Sequence, residues 1–448
     1  MSSTLAADVP AAPSAVRSVW ASPLYRGATV ALFLSGLGTS AAAPQITLFL
    51  VNDLHASLTT AGLYYLTNVT APAAGYVIGM RSDRSGRRLG LFRLCSVAGF
   101  AGWIALAVAD RLWMPFVISS LVLAFSGAAS SQLFAAVHDE LQATGCPVGD
   151  GVISIVRMAL TAGWVVGPVL GSLLATAAGP RVMLAATGLC ALAQILPVGL
   201  ARTTSARPRT HTAPEDRSGQ LGRRPGVRDM LPLLAFTGLF VFVYAGEPIK
   251  YGYLTIYMRS DLHLPTAVSG AVIGIQPLIE LILMPVAVVA ARRIGMMRLM
   301  IFGAAFGVGA NLCFALTGSA AGMFAGQFLM GGVWGIFAAL GIIVAQRLLP
   351  GAVATASAIF MSSMAIASAL GGVTGSVGVG LLGLPHVFLA PALYELAATI
   401  GIAVMSRSRH AVSLERPRPG TSMAASRRRA LRYCARADVP TDWRGPRT

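Results

Sequence analysis

Runs of about twenty apolar residues, the length a helix needs to cross a bilayer core of roughly 30 Å, recur along this chain and limit what it can fold into. Stretches 116–137, 182–201 and 323–345 are three of them. Over the 448 residues, 55% are hydrophobic and only 11% are charged, with a mean hydropathy of +0.70. Soluble domains carry about 25% charged residues, so a water-soluble globule is excluded and an all-α membrane protein is expected. Hydropathy predicts 12 spans, near 27–50, 60–80, 89–109, 113–137, 153–178, 182–201, 232–257, 267–291, 297–317, 321–346, 354–380 and 386–405. The first 20 residues hold no apolar run, so no cleavable signal peptide is expected.

A net charge of +17 ordinarily raises nucleic acid as a partner. Its distribution argues for a membrane instead. Of 33 arginines, only Arg111, Arg181 and Arg259 fall in the odd-numbered connections between spans. Basic residues in short loops stay on the cytoplasmic side, which predicts both termini inside, in agreement with an even number of spans. The chain then divides into a cytoplasmic segment 1–24, a six-helix half 25–201, a polar and Pro-rich cytoplasmic linker 202–230, a second half 231–406 and a basic tail 407–448. The tail, with Arg427, Arg428 and Arg429, either meets anionic lipid or a partner, or is a solvated extension that reinforces topology. The five cysteines, Cys95, Cys146, Cys190, Cys313 and Cys434, show no paired spacing, so no metal, cofactor or disulfide framework is expected.

Residues 53–62 read DLHASLTTAG, and 261–270, 208 positions later, read DLHLPTAVSG. The same offset pairs Thr47 with Thr255, Phe49 with Tyr257, Gly127 with Gly335, Gly163 with Gly371 and Gly167 with Gly375. A period this long is no solenoid. Two six-helix halves of one orientation, joined by a long linker, are the parallel repeat of the major facilitator fold, in which the halves rock about a site near the bilayer midplane.

Residues 79–88, GMRSDRSGRR, resemble the loop signature G-x-L-x-D-R-x-G-R-R of that superfamily, matching at Gly79, Asp83, Arg84, Gly86, Arg87 and Arg88, with Arg81 in place of leucine. Glycine permits the tight turn, and Asp83 is able to pair with arginines or a helix N-terminus. The cluster is expected to latch the cytoplasmic ends of two helices in one state of a cycle. In span 5, GWVVGPVLGS resembles the G-x-x-x-G-P-x-x-G-G pattern of exporters, which implies the direction of transport. Gly163, Gly167 and Gly171 repeat every four residues, a flat stripe for close helix approach, and Pro168 removes a backbone donor.

Ionisable groups inside spans are costly and mark cavities or partners. Glu247 and Lys250, the only lysine, stand three residues apart on one face of span 7, where they are able to pair. They either line the cavity, coupled to protons or substrate, or stand near the outer end, solvated or structurally paired. Glu280, in the apolar sequence GIQPLIELILMP of span 8, is expected to gain and lose a proton as its surroundings change, the requirement for a carrier, with use as a neutral structural hydrogen-bond donor as the alternative. Glu395 of span 12 reads as a lipid-edge or helix–helix hydrogen bond rather than a transport residue. Arg157, at the cytoplasmic entry of span 5, either contacts Asp139 or Glu140 or anchors the topology. Gln45, Asn68, Gln132, Gln276 and Gln327, with Trp164 and Trp334, form a set of amides and aromatic faces suited to a hydroxylic ligand. Each is equally able to serve as an interhelical bond or packing residue.

Taken with the blocks APQITLFLVNDL, SSQLFAAVHDEL, RMALTAGWVVGPVLG and IELILMP, these motifs resemble bacterial sugar efflux transporters of the major facilitator superfamily, over roughly residues 25–405. The resemblance implies export of saccharides and glucosides in exchange for protons, with Gln45, Gln132, Arg157 and Glu280 matching residue types in those blocks. It implies a multi-pass protein of the cytoplasmic membrane that acts as a monomer on a small molecule, with protons and membrane lipid as its other partners. Multidrug export by proton exchange and a non-transporting membrane sensor are the alternatives. An enzyme is not expected, since no phosphate loop, nucleophile triad or metal spacing stands out.

Overall fold

The computed structural model describes residues 14–144, 149–199, 227–350 and 352–407, and among these the regular structure is entirely helical. Most of the linker, the tail beyond Arg407, Cys146 and Cys434 lie outside the described residues. A short helix, Ala15–Ala21, capped by the Ser14 side chain, precedes the first span. Span 1 is Pro23–Asn52, span 3 Arg88–Ala107, span 4 Trp113–Thr144, span 5 Gly151–Ala178 and span 6 Pro180–Val198. Spans 7 to 12 follow as Asp229–Ser260, Thr266–Ile294, Met296–Leu316, Ala320–Leu348, Thr355–Leu382 and His386–Ser406.

Those 11 helices are long and apolar enough to cross a membrane. The expected span 2 is present as three segments in line, Leu58–Leu63, Tyr64–Thr70 and Ala71–Ser85, the middle one wound as a 3₁₀ helix. Its threonines, tyrosines and Asn68 lower its hydropathy, because this helix presents polar groups to the interior. With it the chain forms the expected 12-helix bundle, a multi-pass membrane protein.

The repeat recurs in the backbone. After span 1, Asp53 and Leu54 both donate to the Phe49 carbonyl, and Ala56 donates to Leu50. After span 7, Asp261 and Leu262 donate to Tyr257, and Leu264 to Met258. Each bond in one turn has its counterpart 208 residues on. His55 and His263 take the left-handed conformation at matching positions, with φ of 54° and 52°, a region a side chain other than glycine's rarely occupies. Two segments of one sequence thus repeat the same uncommon backbone at the same offset of 208 residues.

Glycine contacts carry the offset into packing. Gly163 lies against Leu37 of span 1, and Gly371 lies against Ala245 of span 7. The halves meet through spans 5 and 8 and through spans 2 and 11. A side chain on Gly270 would strike the Val169 backbone, 2.9 Å from an added Cβ. Thr176 Oγ1 donates to Thr266 Oγ1 at 3.0 Å, and Tyr253 donates to the Leu58 carbonyl at 3.2 Å. These contacts gather from mid-depth to the end of the bundle that bears the duplicated turns, so the halves are closed together there.

Candidate functional site

Span 7 breaks at Ala245 and resumes as Gly246–Ser260, and the first turn of that second segment carries Glu247 and Lys250 inward. Lys250 is fully buried and Glu247 is 7% exposed, so the pair is enclosed rather than solvated. The ammonium group lies 2.7 and 2.8 Å from the two Glu247 oxygens and donates also to the Gln276 side-chain carbonyl on span 8. Three acceptors meet the three N–H donors of a lysine. Trp334 of span 10 donates its indole N–H to Glu247 Oε1 at 2.6 Å. Three helices of the C-terminal half are therefore tied to one ion pair.

Aromatic rings surround it. The Lys250 ammonium stands 4.4 Å from the Tyr251 ring centroid, within cation–π range. Tyr251 in turn lies 6.3 Å from Trp164 on span 5, which brings the other half to the cluster. Trp334 meets Tyr244 edge-on, with centroids 5.2 Å apart. Glu280 is half-buried on span 8, within electrostatic reach of Glu247, Lys250 and, from span 5, Arg157. Five residues singled out from the sequence, Glu247, Lys250, Gln276, Trp334 and Trp164, thus converge on one region with Glu280 beside it.

The other sequence candidates stand elsewhere. Gln45 donates to Ser172 at 2.8 Å, joining spans 1 and 5. Asn68 donates to Ser368 at 3.0 Å, bonding span 2 to span 11 across the halves. Gln132 accepts from Ser82 near the other end of the bundle. Gln327 is fully buried in span 10, and neither atom of its amide has a protein partner. Glu395 accepts from Asn311 at 3.1 Å, a bond between spans 12 and 9.

In the loop motif, Gly86 takes φ of 64° and caps the span 2 helix, the left-handed position glycine fills without strain. Gly79 has open space beside it, and Arg84 is in the last turn of the helix. Arg87 precedes span 3 as its cap. The Asp83 side chain lies outside the described residues. Arg88 pairs with Asp139 of span 4 at 3.0 Å and donates to Ser82 at 2.8 Å. Sequence reasoning considered Asp139 only as a partner for Arg157, because nothing in the local pattern reveals an acid 51 residues away from Arg88.

In span 5, Gly163, Gly167 and Gly171 all seat against span 1. Span 8 meets the other face, where Gly270 approaches the Pro168 carbonyl. A cavity of about 470 Å³ lies inside the N-terminal half, bordered by Ser35, Tyr64, Asn68, Trp103, Trp164 and Gln194 among others. Trp103 and Gln194 were not singled out from sequence; Gln194 offered the same signal as the chosen amides, a polar residue within a span.

Two pseudo-symmetric six-helix halves with a polar cluster at their junction define a membrane transporter of the facilitator type. The Major Facilitator Superfamily profile matches residues 28–372, and the chain belongs to that superfamily of transport proteins rather than to an enzyme class. It is similar to a putative sugar efflux transporter of Deinococcus radiodurans, at 27% identity over 84% of this chain and 96% of that one. It is similar also to sugar efflux transporter A of Dickeya chrysanthemi, at 28% over 75% of this chain and 83% of that one. Sugar efflux transporter A of Escherichia coli matches at 25% over 78% and 88%. Among solved structures, the nucleoside transporter NupG superimposes with a TM-score of 0.71 at 14% identity, covering 86% of this chain and 100% of that one, a likeness of fold.

Proposed function

We propose that this protein exports sugars or glycosides across the cytoplasmic membrane by alternating access, in exchange for protons. The observation that carries the reading is the near full-length similarity to proteins named sugar efflux transporters, 84% of this chain against 96% of the Deinococcus radiodurans protein. The basic even-numbered connections support an orientation with both termini in the cytoplasm. In that orientation the duplicated turns face outward, and the closed end of the structure is the outer one. The chain works as a monomer in this reading, with lipid around it and its basic tail in the cytoplasm.

Glu280 is the proposed proton carrier. It stands near the junction of the halves, half-buried, with Arg157 across from it and the Glu247–Lys250 pair on its own side. Rocking of the halves changes which charges surround the carboxyl group, and that couples its proton to the state of the cycle. Glu247 and Lys250 act as a neutral pair whose rearrangement accompanies proton exchange. Gln276, Trp334 and Trp164 offer polar and aromatic faces to substrate, joined by Asn68 at the junction. Gln45 and Gln132 contribute by holding the walls in place. The glycine-rich loop, with Asp83 and Arg88, biases closure of the cytoplasmic end.

Inside-out vesicles carrying the protein, energised to an acidic lumen, test the reading. Addition of glycosides should release protons, read by a pH-sensitive dye, and Glu280→Gln should abolish the release. Release on addition of cationic drugs alone would move the assignment to multidrug export. Binding of sugar with neither flux nor proton release would make the protein a sensor.

A further inference from the structure

The repeat that relates the halves also shows where they differ. At the offset of 208 positions, Glu395 of span 12 stands opposite Thr187 of span 6, Gly246 opposite Gly38, and Asn311 opposite Trp103. In the N-terminal half, Thr187 directs its hydroxyl at the carbonyl of Gly38 on span 1, at 3.3 Å, and at that of Met183, at 3.2 Å. Trp103 packs against Gly188, the next residue of span 6. In the C-terminal half a carboxyl group and an amide replace the hydroxyl and the indole.

Glu395 is fully buried, in a socket shaped for it. A side chain on Gly307 of span 9 would overlap its carboxyl group, and a methyl group on Gly246 would stand 3.8 Å from its Oε1. Gly246 opens the second segment of span 7 and immediately precedes Glu247. The Asn311 side-chain nitrogen donates to the Gly307 carbonyl and to Glu395 Oε2, both at 3.1 Å. Two buried acceptors are then left over, Glu395 Oε1 and Asn311 Oδ1, and neither has a protein donor. Buried polar groups are nearly always partnered, and a charge taken out of water is harder to accommodate than a neutral acid. Among the described residues, the ionisable groups that reach Glu395 are Glu247 and Lys250 of span 7, and spans 9 and 11 bring none. That lysine faces Glu280 as well, so one ammonium group stands among three acids.

We propose that Glu395 and Asn311 form a proton-binding site behind the break in span 7, where a carboxyl proton supplies the donor that Thr187 supplies permanently in the other half. The proton on Oε1 gives Asn311 Oδ1 the donor it lacks and leaves Glu395 neutral. Its loss places a negative charge beside Gly246, where it competes with Glu247 for Lys250 and loosens the ion pair that ties spans 7, 8 and 10. This adds a second proton site to the one at Glu280, and it holds whatever the substrate.

Infrared spectra of the full-length protein in nanodiscs test this, because a protonated carboxyl group absorbs apart from carboxylates. At neutral pH the wild type should show such a band, absent in Glu395→Gln and retained in Glu280→Gln. Asn311→Leu should move the band to higher frequency, as loss of a hydrogen bond does, and it keeps the test open if the first variant fails to fold. Raising the pH should remove the band. Over the same interval the emission of Trp334, taken as the difference from Trp334→Phe, should change in the wild type and stay constant in Glu395→Gln. Emission that follows pH equally in both would overturn the link to the ion pair. A band that Glu395→Gln leaves in place, or that sodium ions abolish at neutral pH, would overturn the site itself. Failure of glycosides to release protons from vesicles would count against the export reading and leave this one standing.

Discussion

Lys250 illustrates how a single residue can be both a structural member and a point of control. Removing a single partner from a buried ion pair leaves an uncompensated charge and costs about 3–5 kcal/mol, whereas replacing both with apolar groups of similar volume is often neutral. Lys250→Met should therefore lower thermal stability in detergent sharply, and Glu247→Leu combined with Lys250→Met should recover much of it. Equal loss in single and double variants would show that the two charges are not energetically coupled. The existence of the pair was legible in the sequence, because a spacing of three places two side chains on one helical face. Its enclosure was not, since Gln276 and Trp334 come from helices 26 and 84 residues beyond Lys250. Burial of a charge depends on what the other helices bring to it.

At the scale of the element, span 5 shows why glycine spacing matters on one face and not elsewhere. A methyl group on Gly171 would stand 2.6 Å from the Ala41 carbonyl oxygen, while Gly79 has nothing within 4 Å. Gly171→Leu should prevent spans 1 and 5 from seating and reduce the yield of folded, monodisperse protein by size-exclusion chromatography. Gly79→Ala should instead be neutral or stabilise by up to about 1 kcal/mol, the gain of alanine over glycine in a helix interior. The duplicated turns make a second prediction at this scale. His55 and His263 hold the same left-handed conformation, and non-glycine residues there cost of order 1–3 kcal/mol. His55→Val and His263→Val should each destabilise the protein further, by similar amounts in thermal unfolding, because a β-branched side chain suits that conformation least. Unequal losses would mean that the two turns are alike in backbone only.

For the whole molecule, the question is whether the closed end must open. Thr176 and Thr266 bring their hydroxyl oxygens within 3.0 Å across the halves at that end. In a background without the native cysteines, Thr176→Cys with Thr266→Cys should form a cross-link that stops transport in vesicles, and a reductant should restore it. Undiminished transport by the cross-linked protein would rule out opening at this end as part of the cycle.

Some of this was fixed by the chain alone. Apolar length and the 208-residue repeat determined a membrane protein of twelve helices in two like halves, because bilayer thickness and helix rise set the length of every span and a duplicated sequence folds into duplicated turns. The glycine at position 86 likewise marks a tight turn, and it is the left-handed cap of its helix. Tertiary structure alone decided which polar groups meet. It paired Arg88 with Asp139, gave Gln45 to Ser172, gathered Lys250 with Gln276 and Trp334, and left Gln194 facing a cavity inside the N-terminal half. The physical reason is that apolar patterning orients a helix toward the interior but carries no record of its neighbour. Hydrogen bonds and ion pairs are made between helices, and partners far apart in sequence are specified only when the bundle closes.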